Sequence, residues 1–403
     1  MVLPRHCAMF KMRQVRAGWI NFNSCGKSFA RAVGVWFLGR AMVRHLYVHI
    51  PFCPKVCPYC SFYKEASDRN KTQAFLDAVL AEAGAEAEGL RPLTVFFGGG
   101  TPSALSTAQL EYLIGGLRGR IDFSEVGEFT LEMNPATVSL EKARALLALG
   151  VDRVSMGVQS WDEGLLQTLG RVHSGAQARR SYEILREAGV ANVNLDLIYG
   201  IPGQTCAQWA ESLRQTVELG PDHISAYCLT YEEDTEFFKM FVRGEAGPVP
   251  ERDAEFFELA VDVLGAAGYA QYEISNFARP GRECLHNLGY WRGEDYAGLG
   301  PSAFSTRGGW RRRNVADTEE YTRRVLGGED RFESVERLDD GVRRFERIAL
   351  GLRTRDGVEE GILDAGRVDR LVANGLAVRE GGRVALTRGG RLLADEVAVE
   401  LVQ

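Results

Sequence analysis

Three cysteines, Cys53, Cys57 and Cys60, fall within eight residues of the stretch "YVHIPFCPKVCPYCSFY" (47–63), while the other five of the chain's eight are scattered at positions 7, 25, 206, 228 and 284. Thiolates clustered in this way are metal ligands before they are anything else. A cubane 4Fe–4S cluster held by three protein thiolates keeps one iron open, and an open position on a metal is where a substrate or cofactor coordinates. Zinc is the structural alternative, and it needs a fourth ligand such as His49 or a remote cysteine. Zinc sites usually pair their cysteines as CxxC knuckles, so the spacing favours iron–sulfur. The plain alternative is three unligated cysteines in a loop. Clustered thiols among sparse ones imply no disulfide framework and fit a reducing compartment, so the expected location is the cytoplasm.

Further candidates recur at regular places along the chain. "FFGGGTPS" (96–103) puts three glycines where backbone amides can approach a ligand closely. "LEMNP" places Glu132 at a strand end, where its carboxylate could pair with an amino group, and "MGVQS" does the same for Gln159. Arg171 in "LGRVH" offers a fixed donor fork for a carboxylate, and Asp196 in "NLDLIYG" could accept from ribose hydroxyls. Taken singly, each has an ordinary structural role open to it: a tight turn, a surface ion pair, a satisfied buried acid.

The elements that must position these residues are a repeating series. Strand candidates at 46–50, 93–98, 128–133, 153–158, 193–200 and 223–231 are rich in β-branched and aromatic residues. Helical patterns lie between them, several ending at glycine. Six strand–helix alternations predict a parallel sheet with crossover helices, too few for an eightfold barrel, and the candidates sit at successive strand ends, where such folds bind ligands. The expected fold is therefore α/β over 42–275: a partial (β/α)6 barrel, with a doubly wound sheet as the alternative. A Gly- and aromatic-rich ordered connecting region follows at 276–335. A small C-terminal α+β unit follows at 336–403, whose helices and hairpin around Gly381-Gly382 resemble a winged helix. The chain is 45% hydrophobic and 25% charged, enough to bury a core without disulfides. Its net charge of −6 argues against nucleic acid as the main partner, and it has no apolar run long enough for a transmembrane helix. Residues 1–41 carry seven basic and no acidic residues, which reads as a mis-assigned start or disordered extension ahead of Met42, or as a targeting segment.

With the landmarks assembled, CxxxCxxC after a first strand, Tyr59 just before the third cysteine, and the Gly-rich second strand end resemble the radical SAM (S-adenosylmethionine) superfamily over roughly 42–395. The resemblance implies a 4Fe–4S cluster on Cys53, Cys57 and Cys60. It also implies SAM contacts from Tyr47, Tyr59, Gly99, Gly100, Thr101, Glu132, Gln159, Arg171 and Asp196. "FGGGTPS", "LEMNP", "GVQS" and "LDLIYGIPGQT" are similar, more narrowly, to the HemN/HemW group. One branch of that group decarboxylates coproporphyrinogen III without oxygen. The other binds haem and delivers it to apoproteins, expected to be respiratory haem proteins. Dehydrogenases of the group carry a further cysteine two residues after the third, where this sequence has Phe62. Chaperones of the group carry HNxxYW, here "HNLGYW": His286, Asn287, Tyr290 and Trp291. Imidazole is a common axial haem ligand, and the two aromatics offer flat faces to a porphyrin. The resemblance thus implies a haem chaperone. The alternatives are a coproporphyrinogen dehydrogenase and a zinc-bearing interaction module.

Overall fold

A computed structural model describes residues 42–402, so the basic extension expected at 1–41 lies outside the described residues. Six parallel strands run side by side in chain order: β1 (Val43–Ile50), β2 (Leu90–Gly99), β3 (Glu128–Met133), β4 (Arg153–Gln159), β5 (Asn192–Tyr199) and β6 (His223–Cys228). The crossovers are α1 (Arg69–Glu86), α2 (Thr107–Arg118), α3 (Leu140–Ala148), then α4 (Glu163–Thr168) with α5 (Gly175–Ala188), and α6 (Cys206–Leu219). Hydroxyl side chains start four of these helices: Ser106, Ser139, Ser174 and Thr205 each accept from a backbone N–H three residues on. That contact satisfies one of the four amides a helix start leaves unpaired. Gly189 and Gly220 then end α5 and α6 in the left-handed conformation.

Because side chains alternate across a strand, each strand has one face for the helices and one for the barrel interior. Val95, Phe97, Phe129, Leu131, Val154, Met156, Val193 and Leu195 are buried in the main core. The residues between them point inward, so Arg153, Ser155, Gly157 and Gln159 of β4 all line the interior cavity.

The sheet does not stop where the sequence pattern does. After α7 (Glu236–Val242) and α8 (Pro250–Ala266), β7 (Asn276–Ala278) joins β6 antiparallel. After α9 (Leu285–Trp291), β8 (Tyr296–Leu299) joins the other edge parallel to β1. The antiparallel strands β9 (Phe304–Arg307), β10 (Trp310–Asn314) and, beyond α10 (Thr318–Leu326), β11 (Phe332–Arg337) extend that edge, and the two-residue strand Ala270–Gln271, antiparallel beside β7, makes the sheet twelve-stranded. The region 276–335, expected as ordered loop, is thus largely sheet. Its strands are only three to six residues long, and β10 carries three arginines in a row, so they show too little of the apolar run of a central strand. The fully buried Glu82 of α1 anchors this extension, accepting from Gly300 N–H (2.8 Å), Asn314 Nδ2 (2.7 Å), Arg331 Nε (2.7 Å) and the Tyr321 hydroxyl.

The C-terminal unit consists of α11 (Asp340–Gly351), β12 (Val358–Glu359), α12 (Ala365–Ala373), the hairpin β13 (Ala377–Glu380) and β14 (Arg383–Leu386), α13 (Arg388–Leu392) and α14 (Ala394–Val402). Gly381 and Gly382 both take positive φ (56° and 75°), as the tight turn requires. Its core of Ile348, Leu352, Val368, Leu371, Val384 and Val397 also receives Ile274 from the barrel. The chain ends in two short helices, α13 and α14, meeting at Leu393. Among the described residues, no helix is long and apolar enough to cross a membrane.

Candidate cofactor and ligand site

The barrel interior is one cavity that opens to solvent at the cysteine end. Of the residues singled out in the sequence, Cys53, Cys57, Cys60, Tyr47, Tyr59, Gly99, Gly100, Thr101, Glu132, Gln159, Arg171, Asp196, His286, Asn287 and Tyr290 all line it. Trp291 does not; it is fully buried elsewhere, so it presents no face to a ligand in this cavity.

The cysteine loop follows β1 directly and is strapped to the Gly-rich end of β2: Gly100 N–H donates to Ile50 O and Thr101 N–H to Phe52 O, both at 2.8 Å. Gly99 has φ +108°, and a Cβ there would lie 2.5 Å from the His49 ring; one on Gly100 would lie 2.5 Å from Pro51 O. These glycines are therefore demanded by the close passage of the loop itself, whatever ligand approaches them. Cys53 Sγ lies 3.4 Å from Thr101 Oγ1. Burial pushes the Cys53 thiol up to about 11, with the other two thiols adding to the effect. Such a crowded, desolvated thiol needs a cationic centre to be held as a thiolate.

Thiolates on one zinc must lie within about 4 Å of each other, given Zn–S bonds of about 2.3 Å. Among the described residues no three His, Cys, Asp or Glu side chains are disposed to hold a single ion. A cubane instead gives each thiolate its own iron, and all three thiols line one cavity. His49 is not available as a zinc ligand either. Its Nε2–H donates to Tyr63 O (2.9 Å) and its Nδ1 accepts from the Tyr47 hydroxyl (3.0 Å). Burial lowers its pKa to about 4, so it is neutral and serves to orient Tyr47. The sequence reading had no signal for this role.

Around the mouth, Arg171 Nη2 donates to Gly157 O (2.8 Å) while Nη1 lies 3.6 Å from Cys57 Sγ. Asp196 accepts from Ser155 Oγ (3.1 Å) and Asn194 Nδ2 (2.9 Å), which fixes its carboxylate. Gln159 holds φ +69° at a register shift in β4, a strained conformation for a residue with a side chain, and its buried Oε1 has no partner. An orphaned acceptor turned into a cavity is what a bound donor would satisfy. Tyr59 is buried against Phe237, ring centroids 6.1 Å apart.

At the opposite end, α9 closes the barrel floor. The Glu128 carboxylate accepts from Leu285 N–H (2.8 Å) and His286 N–H (3.0 Å), tying the helix start to β3. His286 is fully buried and stacked on Phe96, centroids 5.1 Å apart. Burial lowers its pKa well below the usual histidine range, so it is a neutral imidazole. A chain of hydrogen bonds runs through it: Glu294 Oε2 to His45 Nε2 (2.7 Å), His45 Nδ1 to Thr94 Oγ1 (2.8 Å), Thr94 Oγ1 to His286 Nδ1 (2.7 Å), and His286 Nε2 to Tyr290 Oη (3.0 Å). In the tautomer set where His45 donates Nε2–H to Glu294, Thr94 donates to His45 and accepts from His286 Nδ1–H. His286 Nε2 then carries the lone pair, which the Tyr290 hydroxyl occupies.

Comparison with known proteins agrees with this geometry. Residues 47–216 match the model of the radical SAM superfamily. A protein named heme chaperone HemW from Bacillus subtilis (strain 168) is 34% identical over 372 residues, which span 88% of this chain and 98% of that protein. The chain belongs to the HemW group of the radical SAM superfamily. The Escherichia coli (strain K12) heme chaperone HemW is 41% identical over 266 residues, 64% of this chain and 68% of its own. Among solved structures, the coproporphyrinogen III oxidase HemN of Escherichia coli, a radical SAM enzyme, aligns over 93% of both chains with a TM-score of 0.77 at 25% identity. The cofactors of the superfamily are a 4Fe–4S cluster and SAM, and the three thiols lining the cavity and the orphaned Gln159 acceptor fit them.

Proposed function

We propose that this HemW-group protein is a haem chaperone that carries a 4Fe–4S cluster and SAM at the cavity mouth and haem at its floor. The observation that carries the reading is that one cavity holds both sets of residues, the cysteine loop above and the HNLGYW helix below. Cys53, Cys57 and Cys60 hold the cluster, leaving one iron for SAM. Glu132 pairs with the SAM amino group, Arg171 with its carboxylate and Asp196 with the ribose. Gln159 accepts at its orphaned oxygen, Tyr47 and Tyr59 flank the ligand, and Gly99, Gly100 and Thr101 form the wall beside its methionine end. The bound cluster supplies a one-electron donor to the sulfonium. His286 Nε2 is the haem ligand, freed when Tyr290 yields its hydrogen bond. Asn287 lines the same floor. We place the protein in a reducing compartment such as the cytoplasm, passing haem to an apoprotein, with respiratory haem proteins the leading class.

The similarity to HemN favours a second reading, porphyrinogen decarboxylation. Against it stands Phe62, which lines the cavity where dehydrogenases of the group carry a further cysteine. An anaerobic incubation of the reconstituted protein with SAM, an electron donor and coproporphyrinogen III separates the two. The chaperone reading expects no protoporphyrinogen, and haem retained at one equivalent. Protoporphyrinogen formed at enzymatic rates would overturn it.

A further inference from the structure

Two arginines line the cavity, and only one has a place in the reading above. Arg171 sits at the cysteine end against Gly157 O. Arg153 begins the same strand whose residue 157 Arg171 touches, four residues and about 13 Å away along the backbone. The two thus reach the cavity from opposite ends of β4. Arg153 is 2% exposed, yet its one hydrogen bond among the described residues is a long one, Nη1 to Thr130 Oγ1 at 3.4 Å, and its Nε has no partner. It forms no ion pair within 4.0 Å among the described residues. The acids that act on it through space are committed elsewhere: Glu128 to the start of α9, Asp196 to Ser155 and Asn194. The carboxylates of Glu128 and Asp196 stabilise the buried guanidinium only through space, so its donors stay largely unused, and the edge formed by Nε–H and a neighbouring Nη–H is the fork that matches a carboxylate. Arg153 also acts on His286, so the two share the floor of the cavity.

We infer that Arg153 is an anion subsite that takes a propionate carboxylate of the tetrapyrrole whose iron faces His286. The inference rests on the haem reading. It assigns the barrel floor a preference for the free acid of the porphyrin. Arg171 serves the carboxylate of SAM, and Arg153 serves the cargo.

Titrating haem and haem dimethyl ester separately into the full-length, anaerobically reconstituted chain tests it. The wild type is expected to bind the free acid at least about tenfold more tightly, the scale of one charge-assisted hydrogen bond pair in a buried site. Arg153→Met is expected to lose that preference by weakening haem alone, with ester affinity within about twofold of wild type. Equal binding of acid and ester by the wild type, or an unchanged preference in Arg153→Met, overturns the subsite while leaving the haem reading intact. Binding of neither compound removes the haem reading and the subsite together. Should Arg153→Met fail to incorporate iron, Arg153→Lys replaces it: a reduced preference supports the fork, and an unchanged one overturns it.

Discussion

The thiols, the buried His286 with its relay through Thr94 and His45, and the arginines at the two ends of the cavity carry most of the chemistry. Replacing Cys57 by Ala leaves two thiolates for the cubane. Iron and labile sulfide per chain, measured after anaerobic reconstitution, are expected to fall to near zero while the circular dichroism spectrum is kept. The Thr94 relay makes a subtler prediction. Thr94→Val keeps the volume but removes the acceptor that holds the proton on His286 Nδ1. Outer-shell partners of this kind commonly change metal affinity 10- to 100-fold, so haem affinity in Thr94→Val is expected to drop about tenfold, with a shifted Soret band; an unchanged titration would remove the relay. The cysteines were legible in the sequence because three thiols in eight residues have few uses. His45, Thr94 and His49 were not: each looks like an ordinary strand residue, and only the register that sets His45 beside Thr94, and Tyr47 two residues from His49 on one face, gives them roles.

Among the elements, the six parallel strands were readable because a strand covered by helices must be continuously apolar on that face. "EFTLEM" was placed to the residue as β3. Strands β7 to β11 were hidden by their brevity and, in β10, by the run of arginines. Helix α9 was hidden for a related reason: a seven-residue helix shows too little periodicity to be told from loop, and its burial depends on Glu128, more than 150 residues earlier. The junction of β2 with the cysteine loop is the least tolerant of these elements. Gly99→Ala must hold a side chain at φ +108° against the His49 ring, so a loss of roughly 1–3 kcal/mol is expected. Thermal unfolding of the reconstituted protein would show it as a lower melting temperature, together with reduced cluster content; unchanged values for both would contradict the packing account of this turn.

In the molecule as a whole, the C-terminal unit docks on the barrel through Ile274, an antiparallel bridge between Glu273 and Thr354, and ion pairs from Arg388 to Glu258 and Asp262. Glu273 is buried at this junction, and desolvation raises its carboxyl to about 7 against donors from Ser275 and Asn276 and the charges of Arg353 and Arg391. A carboxyl whose folded pKa exceeds its unfolded one favours the folded state while protonated. Its contribution is therefore complete below about 4.5 and lost as the pH rises through about 7. Glu273→Gln, which keeps the neutral form, is expected to gain melting temperature relative to wild type at pH 8 and to show little difference at pH 5; the opposite order would contradict it. The winged-helix outline of this unit was readable from its hairpin, but its attachment was not, since Glu273 and Ile274 lie in the barrel's own stretch of chain. The arrangement that matters most is a single cavity with thiols at its mouth and a neutral histidine at its floor. Haem titration of the anaerobically reconstituted wild type beside His286→Ala, followed at the Soret band, tests it most directly. Saturation at one equivalent in the wild type, with at least about tenfold weaker or spectrally altered binding in the variant, is the expected result; identical affinity and spectra in the two proteins would contradict it.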